Sequence, residues 1–446
     1  MLPPDASHVG ARPPVAPGDT DPPESRRDRR SPAILALALA VVALLAGTGL
    51  FLSGYSIGSQ QAGTPGTPTA DVDLFKPFWE VYHAITDRYA GGEVDRSKLV
   101  EGATKGLFEA LGDPYSEYLT ADDYRDSLEG LSGRFEGIGA EIGTEAPGDG
   151  ASDCSTLGAE CLLVVIAPIA GSPAEEAGLR PGDIVRAVDS RALDGLTVGE
   201  ARDLIRGPKG TTVTLSIVRE QGDPFDLAIT RDVIETKDVT TRELAGGSVA
   251  YLGVSSFSDI ASDQVADAVG AARDKGITRF VLDLRGNPGG YVTSAQEIAS
   301  QFIGTGPIFW QEDAEGDQVA TDSTGEGKAT GDDIDVAVLV DRGSASASEI
   351  VAGALQDTGR GTLVGEKTFG KGTVQVWTEL SNEAGGYRLT IARWLTPNKR
   401  WVHGDGLEPD VPVTAPANAP AGSDAVLDRA LDILASSSSG VLAPAA

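Results

Sequence analysis

Histidine, cysteine and positive charge are all scarce in this chain. Three histidines, His8, His83 and His403, are spread over 446 residues, so a multi-histidine metal site has almost nothing to be built from. Two cysteines, Cys154 and Cys161, exclude the Cys-rich zinc and iron–sulfur sites. Lys and Arg number 36 against 66 Asp and Glu, a formal net charge of −30. Such a surface repels phosphate backbones, and no nucleic-acid partner is expected. Core material is plentiful: 41% of the residues are hydrophobic and 23% charged. The chain is longer than one compact domain usually is, so two or three domains are expected.

One stretch has no charge at all. Residues 33–52 form an apolar run of twenty, which as a helix spans about 30 Å, the thickness of the hydrocarbon layer. Arg26-Arg27-Asp28-Arg29-Arg30 precedes it. The positive-inside rule keeps that flank cytoplasmic and sends the chain after Ser53 outward. The reading is a retained signal-anchor in the cell membrane, single-pass, with the N-terminus cytoplasmic and the catalytic region extracytoplasmic. A cleaved signal peptide is the rival. Against it stand a leader of more than thirty residues and the lack of a clear A-x-A site after the run.

The rest of the chain divides by pattern. Residues 1–31 read as a disordered cytoplasmic tail, 32–55 as the anchor and 56–71 as a linker. Phe75, Phe78, Val81, Tyr82 and Ile85, then Leu99, Ala103, Leu107 and Leu111, recur at helical spacing and predict a helical region over 72–132. Gly112-Asp113-Pro114-Tyr115-Ser116 is a turn inside it. Residues 133–231 are strand-rich, with a short amphipathic helix at 198–205. Over 232–414 strands and helices alternate, which predicts an α/β core with a largely parallel sheet. The stretch 312–335 holds nine carboxylates and one lysine; it reads as a solvated, mobile insertion and matches no EF-hand loop. Residues 415–446 read as a linker, one more helix and a loose tail.

Three runs carry candidate chemistry. Asp341-Arg342-Gly343-Ser344-Ala345-Ser346-Ala347-Ser348-Glu349 follows a short apolar strand and opens a helix. Small residues there let a substrate approach the backbone, and N–H groups at a helix start gather partial positive charge suited to an oxyanion. Alone, the run reads more simply as a serine-rich helix cap. A nucleophilic serine also needs a base, and His403 is the one histidine in the core region. A lysine does the same work where apolar burial lowers its pKa. Residues 365–375 (GEKTFGKGTVQ) offer Lys367 and Lys371. On a strand, Lys371, Thr373 and Gln375 share one face, which brings an amine and an amide to one point. Either lysine alone reads as a solvated charge. The third run, Asp283-Leu284-Arg285-Gly286-Asn287-Pro288-Gly289-Gly290, ends a buried strand, where open α/β sheets hold their ligands.

Together these runs resemble the C-terminal processing peptidases, or tail-specific proteases, which are serine proteases with a Ser/Lys dyad. The resemblance rests on G-S-A-S-A-S-E with the downstream A-x-x-x-Q-D, on G-E-x-T-F-G-K-G-x-V-Q and on D-L-R-x-N-P-G-G. It runs over about three quarters of the chain, residues 72–413. It implies a multidomain α/β protein: a crotonase/ClpP-like protease core, an inserted or preceding PDZ domain, an N-terminal helical segment and one transmembrane helix. It implies Ser346 as nucleophile, Lys371 as general base and Gln375 as the residue orienting that lysine. The N–H of Ala347, with that of Gly289 or Gly290, would form the oxyanion hole, and Asp357 would be an acidic support. No metal and no organic cofactor are implied.

The PDZ domain would occupy 133–231. Phe135-Glu136-Gly137-Ile138-Gly139-Ala140 resembles its carboxylate-binding loop, whose N–H groups hold a terminal carboxylate while the peptide adds as a strand. Leu204 and Ile205 would line the groove. Arg206 is expected to reach the Lys371/Gln375 strand and gate the site. An insertion at 145–160 departs from the family pattern. It holds Cys154, with Cys161 next, and as the only two cysteines of an outward-facing region they are expected to pair.

The expected activity is a membrane-anchored serine endopeptidase acting on proteins or peptides with unstructured apolar C-termini. Two rivals are an inactive PDZ adaptor that presents substrates to another protease, and an enoyl-hydratase-like enzyme, which needs an acyl-CoA pocket. The chain's own apolar tail, 441–446, is expected to compete with substrate, or to be trimmed, in a homo-oligomer.

Overall fold

The computed structural model describes residues 70–146, 150–151, 154–220, 222–414 and 422–437. The expected cytoplasmic tail, the anchor at 33–52 and the C-terminal tail at 441–446 lie outside them. Among the described residues no helix is long and apolar enough to cross a membrane. The chain falls into two compact units that meet in sequence at Val100 and Glu101. In the first, the helix Val72–Arg88 buries none of its residues, and Leu74, Phe75, Phe78 and Val81 are exposed.

The second unit holds a small domain inserted before a larger one. The small domain is an antiparallel sheet. Its strands lie in the order Gly150–Ala151, Ala140–Ala146, Leu162–Pro168, Ile184–Val188, Thr212–Val218 and Phe225–Thr230, with Arg191–Ala192 on the Ile184–Val188 strand. Thr212–Val218 buries every second residue and sends Val213, Leu215 and Ile217 into a core with Leu163, Val165 and Val185, as period-two side chains must. The helix Val198–Ile205 starts with a capping box: Thr197 Oγ1 accepts from the Glu200 N–H (3.2 Å) and Glu200 Oε2 from the Thr197 N–H (2.7 Å). A two-stranded ribbon, Arg134–Gly137 on Asp232–Glu235, joins the chain's entry to its exit.

The larger domain centres on a six-stranded sheet. Its order is Val239–Leu244, Val249–Val254, Arg279–Asp283, Asp335–Val340, Thr362–Gly365, Val411–Pro412, and every pairing is parallel except the first. The inner strands are covered on both faces, which is why Val249–Val254, Arg279–Asp283 and Asp335–Val340 are largely apolar runs. Phe280, Leu282, Val336, Val338 and Val340 pack in one cluster with residues of the helices Ala261–Asp274, Val292–Ser300 and Ala347–Asp357. Val281, Ala337 and Leu339 pack on the other face with Val426, Ala430 and Leu434 of the C-terminal helix Ala425–Ser437.

A second, antiparallel sheet lies beside it and revises two expectations. Its order is Glu117–Leu119, Gly386–Leu395, Pro307–Glu312, Gln318–Asp322, with Thr373–Glu379 also paired to Gly386–Leu395. The 72–132 region is therefore not helical throughout: its three-residue strand, too short to show a period, completes the edge of a distant sheet. The acidic stretch is not a loose insertion either. Gln318–Asp322 forms a hairpin with Pro307–Glu312, and its carboxylates have structural work. Asp313 Oδ1 accepts from the N–H groups of Glu315 (3.1 Å) and Asp317 (2.9 Å), and Glu312 pairs with Arg393 (2.9 Å). Ala329 and Ile334 are buried.

Candidate active site

Ser346 sits where the Asp335–Val340 strand gives way to the helix Ala347–Asp357. Its backbone has φ 55° and ψ −114°, a conformation that costs a non-glycine residue about 1–3 kcal/mol and collects at functional sites. The three serines of the run separate here. Ser344 Oγ donates to Leu284 O (2.8 Å) and Ser348 Oγ to Asn287 O (2.9 Å), so both pin the elbow to the loop after Asp283. Both are fully buried, whereas Ser346 keeps 9% exposure. Asn287 locks that loop in turn by donating from Nδ2 to Val254 O (2.8 Å).

The loop's glycines lie against the serine. A Cβ on Gly289 would stand 2.8 Å from Ser346 Cβ and 2.9 Å from Ala347 N, and its φ of 104° is open to glycine alone. Its N–H donates to Asn287 Oδ1 (2.9 Å) and is thereby occupied. Among the described residues, no protein acceptor takes the N–H of Gly290 or of Ala347, the latter being the first residue of its helix and so without an intrahelical partner.

A carboxylate that the sequence reading left without a role ties this elbow to the lysine. Glu349 is fully buried. Its Oε2 accepts from the backbone N–H of Ser346 (2.9 Å) and of Lys371 (2.8 Å), and its Oε1 from Thr368 Oγ1 (2.5 Å) and the Gly370 N–H (2.8 Å). One side chain thus fixes the backbones of both residues singled out as nucleophile and base. The signal was present: serine followed three residues later by glutamate is the capping-box spacing, and Glu349 directly follows the uncharged Gly343-Ser344-Ala345-Ser346-Ala347-Ser348.

Burial lowers the Lys371 amine to about 8, helped by the nearby Arg388 guanidinium and opposed by Asp113 and Glu349. Lys371 lies two residues ahead of the Thr373–Glu379 strand, so of the three residues expected on one strand face only Thr373 and Gln375 are on the strand. These two keep a common face, because the residue skipped in the pairing, Ile391, belongs to the partner strand. Gln375 Nε2 donates to Thr373 Oγ1 (2.9 Å) and Thr390 Oγ1 (3.1 Å). His403 stands nearby as an acceptor, its Nδ1 taking the Gly372 N–H (3.3 Å) while its ring stacks on Trp401. Asp357 lies at the other end of the eleven-residue helix, about 16 Å along the axis at 1.5 Å per residue. There it binds Arg400 and accepts the Asn398 N–H (2.9 Å), which makes it a brace for that loop.

In the small domain, Gly137 ends one strand and Ala140 starts the next, with Ile138 and Gly139 between. Ile205 is buried in the domain core, and of the two groove candidates only Leu204 stays partly exposed. Arg206 points to the helix Ala121–Ser132, where it pairs with Glu129 (2.5 Å) and Asp126 (3.6 Å); Arg202 joins it at Asp126 (2.6 Å). Cys154 and Cys161 form a disulfide. The loop it closes docks on the entrance to the helix Val198–Ile205, through Leu157 N–H to Leu196 O and Gly195 N–H to Leu157 O (2.8 Å each). Reducing this bond is expected to lower the stability of the domain by about 2–3 kcal/mol, the chain-entropy value for so short a loop. Denaturant unfolding of oxidised and reduced protein checks it, and superimposed curves would contradict it.

Comparisons with known proteins follow the same division. The model for peptidase family S41 matches residues 248–413, a PDZ-domain model matches 164–219, and the model of the activating protease CtpB N-terminal domain matches 56–123. The chain is similar to two carboxy-terminal processing proteases of Bacillus subtilis (strain 168). It is 35% identical to CtpB over 364 residues, covering 80% of this chain and 72% of the relative. It is 35% identical to CtpA over 370 residues, covering 82% and 74%. Among solved structures it is similar to a photosystem II D1 C-terminal processing protease at 27% identity, with 78% of this chain and 97% of that one covered and a TM-score of 0.44.

Proposed function

Because the chain belongs to the carboxy-terminal processing proteases of peptidase family S41, and is a serine-type peptidase with a PDZ domain, we propose that Ser346 and Lys371 are its catalytic dyad. The observation that carries this reading is the buried Glu349, whose one carboxylate holds the backbone of both. The neutral Lys371 amine takes the Ser346 hydroxyl proton as Oγ attacks the scissile carbonyl. The oxyanion is received by the N–H groups of Ala347 and Gly290, since that of Gly289 is already given to Asn287. The ammonium then protonates the leaving amine, and water releases the acyl-enzyme by the same steps. Gln375 acts on the lysine through the threonines it binds, Thr373 and Thr390.

The PDZ domain supplies the substrate. In this reading the Gly137-Ile138-Gly139-Ala140 loop receives a terminal carboxylate, with Leu204 beside the last side chains, and the body of the tail reaches Ser346. The apolar run at 33–52 with its arginine-rich flank supports attachment to the membrane with the catalytic region outside. The test is a folded reporter with an unstructured apolar tail, offered with a free and with an amidated C-terminus. Amidation is expected to lower kcat/KM by about tenfold, mostly through KM, as loss of one charge-assisted contact set implies. Equal kcat/KM on both would remove carboxylate recognition from the proposal.

A further inference from the structure

The turn Gly112–Ser116, read from sequence as a link between helices, ends beside the lysine. We propose that Tyr115 is a positioning residue for Lys371, its ring roofing the amine and keeping water from it so that the neutral form is available as base. The proposal rests on the reading of Lys371 given above. The Lys371 Nζ stands 5.0 Å from the centre of the Tyr115 ring. The backbone beneath is already clamped. Trp394 Nε1 donates to Lys371 O (2.9 Å), Trp401 Nε1 donates to Gly372 O (2.9 Å), and the Gly372 N–H goes to His403. What those bonds leave undetermined is the four-carbon side chain, and that is where the ring sits.

The ring itself is held from several sides. Asp113 Oδ1 accepts the Tyr115 N–H (3.0 Å), and Arg388 Nε donates to the Tyr115 carbonyl (3.0 Å). Ser116 Oγ donates to Asp113 Oδ2 (2.6 Å) and accepts the Thr390 N–H (2.9 Å). His403 meets the ring edge-on at 5.9 Å, and Glu117–Leu119 continues directly into the sheet. Tyr115 is therefore fastened to the same strand, Gly386–Leu395, that carries Thr390 and Arg388. The charged and titratable groups facing the amine are Arg388 from that strand, Asp113 from the turn and Glu349 from the serine's helix, with His403 behind the tyrosine.

An aromatic ring acts on a lysine in two opposed ways. Its negative face favours the ammonium, and its bulk excludes water and disfavours it. Here burial is the largest influence on the amine, so exclusion wins. The experiment measures the amine directly and then through catalysis. In Ser346→Ala protein, the Lys371 13Cε signal, identified by its absence from a Lys371→Arg sample, is titrated with Tyr115 as tyrosine, phenylalanine, leucine and alanine. The midpoint is expected near 8 in the parent background, and higher by at least about half a pH unit with alanine as water enters. Phenylalanine restores the parent midpoint, and leucine, which keeps water out without an aromatic face to favour the ammonium, gives a midpoint at or below the parent's. A midpoint that alanine leaves in place or lowers overturns the proposal. With Ser346 present, the rising limb of kcat/KM follows the same order. If the amine's midpoint moves and the limb does not, it is Lys371 as base that fails, and the ring's hold on the amine stands.

Discussion

Replacing Lys371 by alanine is expected to lower kcat by at least about 10³-fold, in the upper range for loss of a general base, with the fold retained. Ser346→Ala falls at least as far, because members of one catalytic unit are not additive. The parent's kcat/KM should rise about tenfold per pH unit up to about 8 and then level, since the neutral amine is the reactive form. Stability moves in a related way. Between about 8 and 10.5 the unfolded chain binds a proton that the folded amine has given up, so the parent gains stability as pH rises through that window. Lys371→Ala lacks this gain. His403→Ala should keep substantial turnover, because its Nδ1 serves the Gly372 N–H. A limb centred near 6.5, the ordinary histidine value, together with an inactive His403→Ala, would transfer the base role to the histidine.

Glu349→Ala is expected to cost stability as well as activity, unlike Lys371→Ala or Ser346→Ala, because it acts on fold and site together. It leaves the buried N–H groups of Ser346, Gly370 and Lys371 and the Thr368 hydroxyl without their acceptor. An unsatisfied buried donor costs about 1–3 kcal/mol, so a loss of about 3 kcal/mol or more is expected even after relaxation. Activity should fall by about 10² or more as the elbow and the lysine lose their common anchor. Glu349→Gln is milder for a geometric reason. Its oxygen can still serve Ser346 and Lys371 while its amide nitrogen donates to Thr368 Oγ1, so only the Gly370 N–H and the Thr368 hydroxyl proton lose their acceptor. Denaturant unfolding and kcat/KM at matched pH check the order parent, Gln, Ala. Parent-like turnover in Glu349→Ala would show that the shared anchor is unnecessary.

Elements whose signals are local were legible from sequence. The helix Val198–Ile205 has the bounds its pattern predicts, and the strands Ile184–Val188, Thr212–Val218 and Val249–Val254 fall in the regions read as strand-rich or alternating. The helix opens on a capping box, Thr212–Val218 buries every second residue, and Val249–Val254 is a buried apolar run. The three motif runs were legible too, and Gly289 packs against Ser346 as their order suggested. What escaped depends on partners far along the chain. Glu117–Leu119 is three residues with no period, and its partner lies more than 260 residues away. Tyr115 looked like turn material because nothing near it in sequence announces Arg388. Glu349 stood inside a quoted motif without a role, since its other partners, Thr368, Gly370 and Lys371, belong to a different run. Of the face expected for Lys371, Thr373 and Gln375, the strand itself carries the last two, because it begins only at Thr373.

The strand Glu117–Leu119 also bears on the order in which the protein can be made. Domains fold as they leave the ribosome, N-terminal first, and the PDZ sheet closes within residues 140–230, so it can form while the catalytic half is still being synthesised. The edge strand made before it has no such option. Its partner, Gly386–Leu395, emerges only after both Ser346 and Lys371 have passed, and Tyr115 reaches the lysine by that same pairing. Long-range pairings of this kind form late. A growing or truncated chain can therefore display a finished PDZ domain while Lys371 still lacks Tyr115 above it, and the arrangement around Ser346 and Lys371 is completed with the last strands of the core.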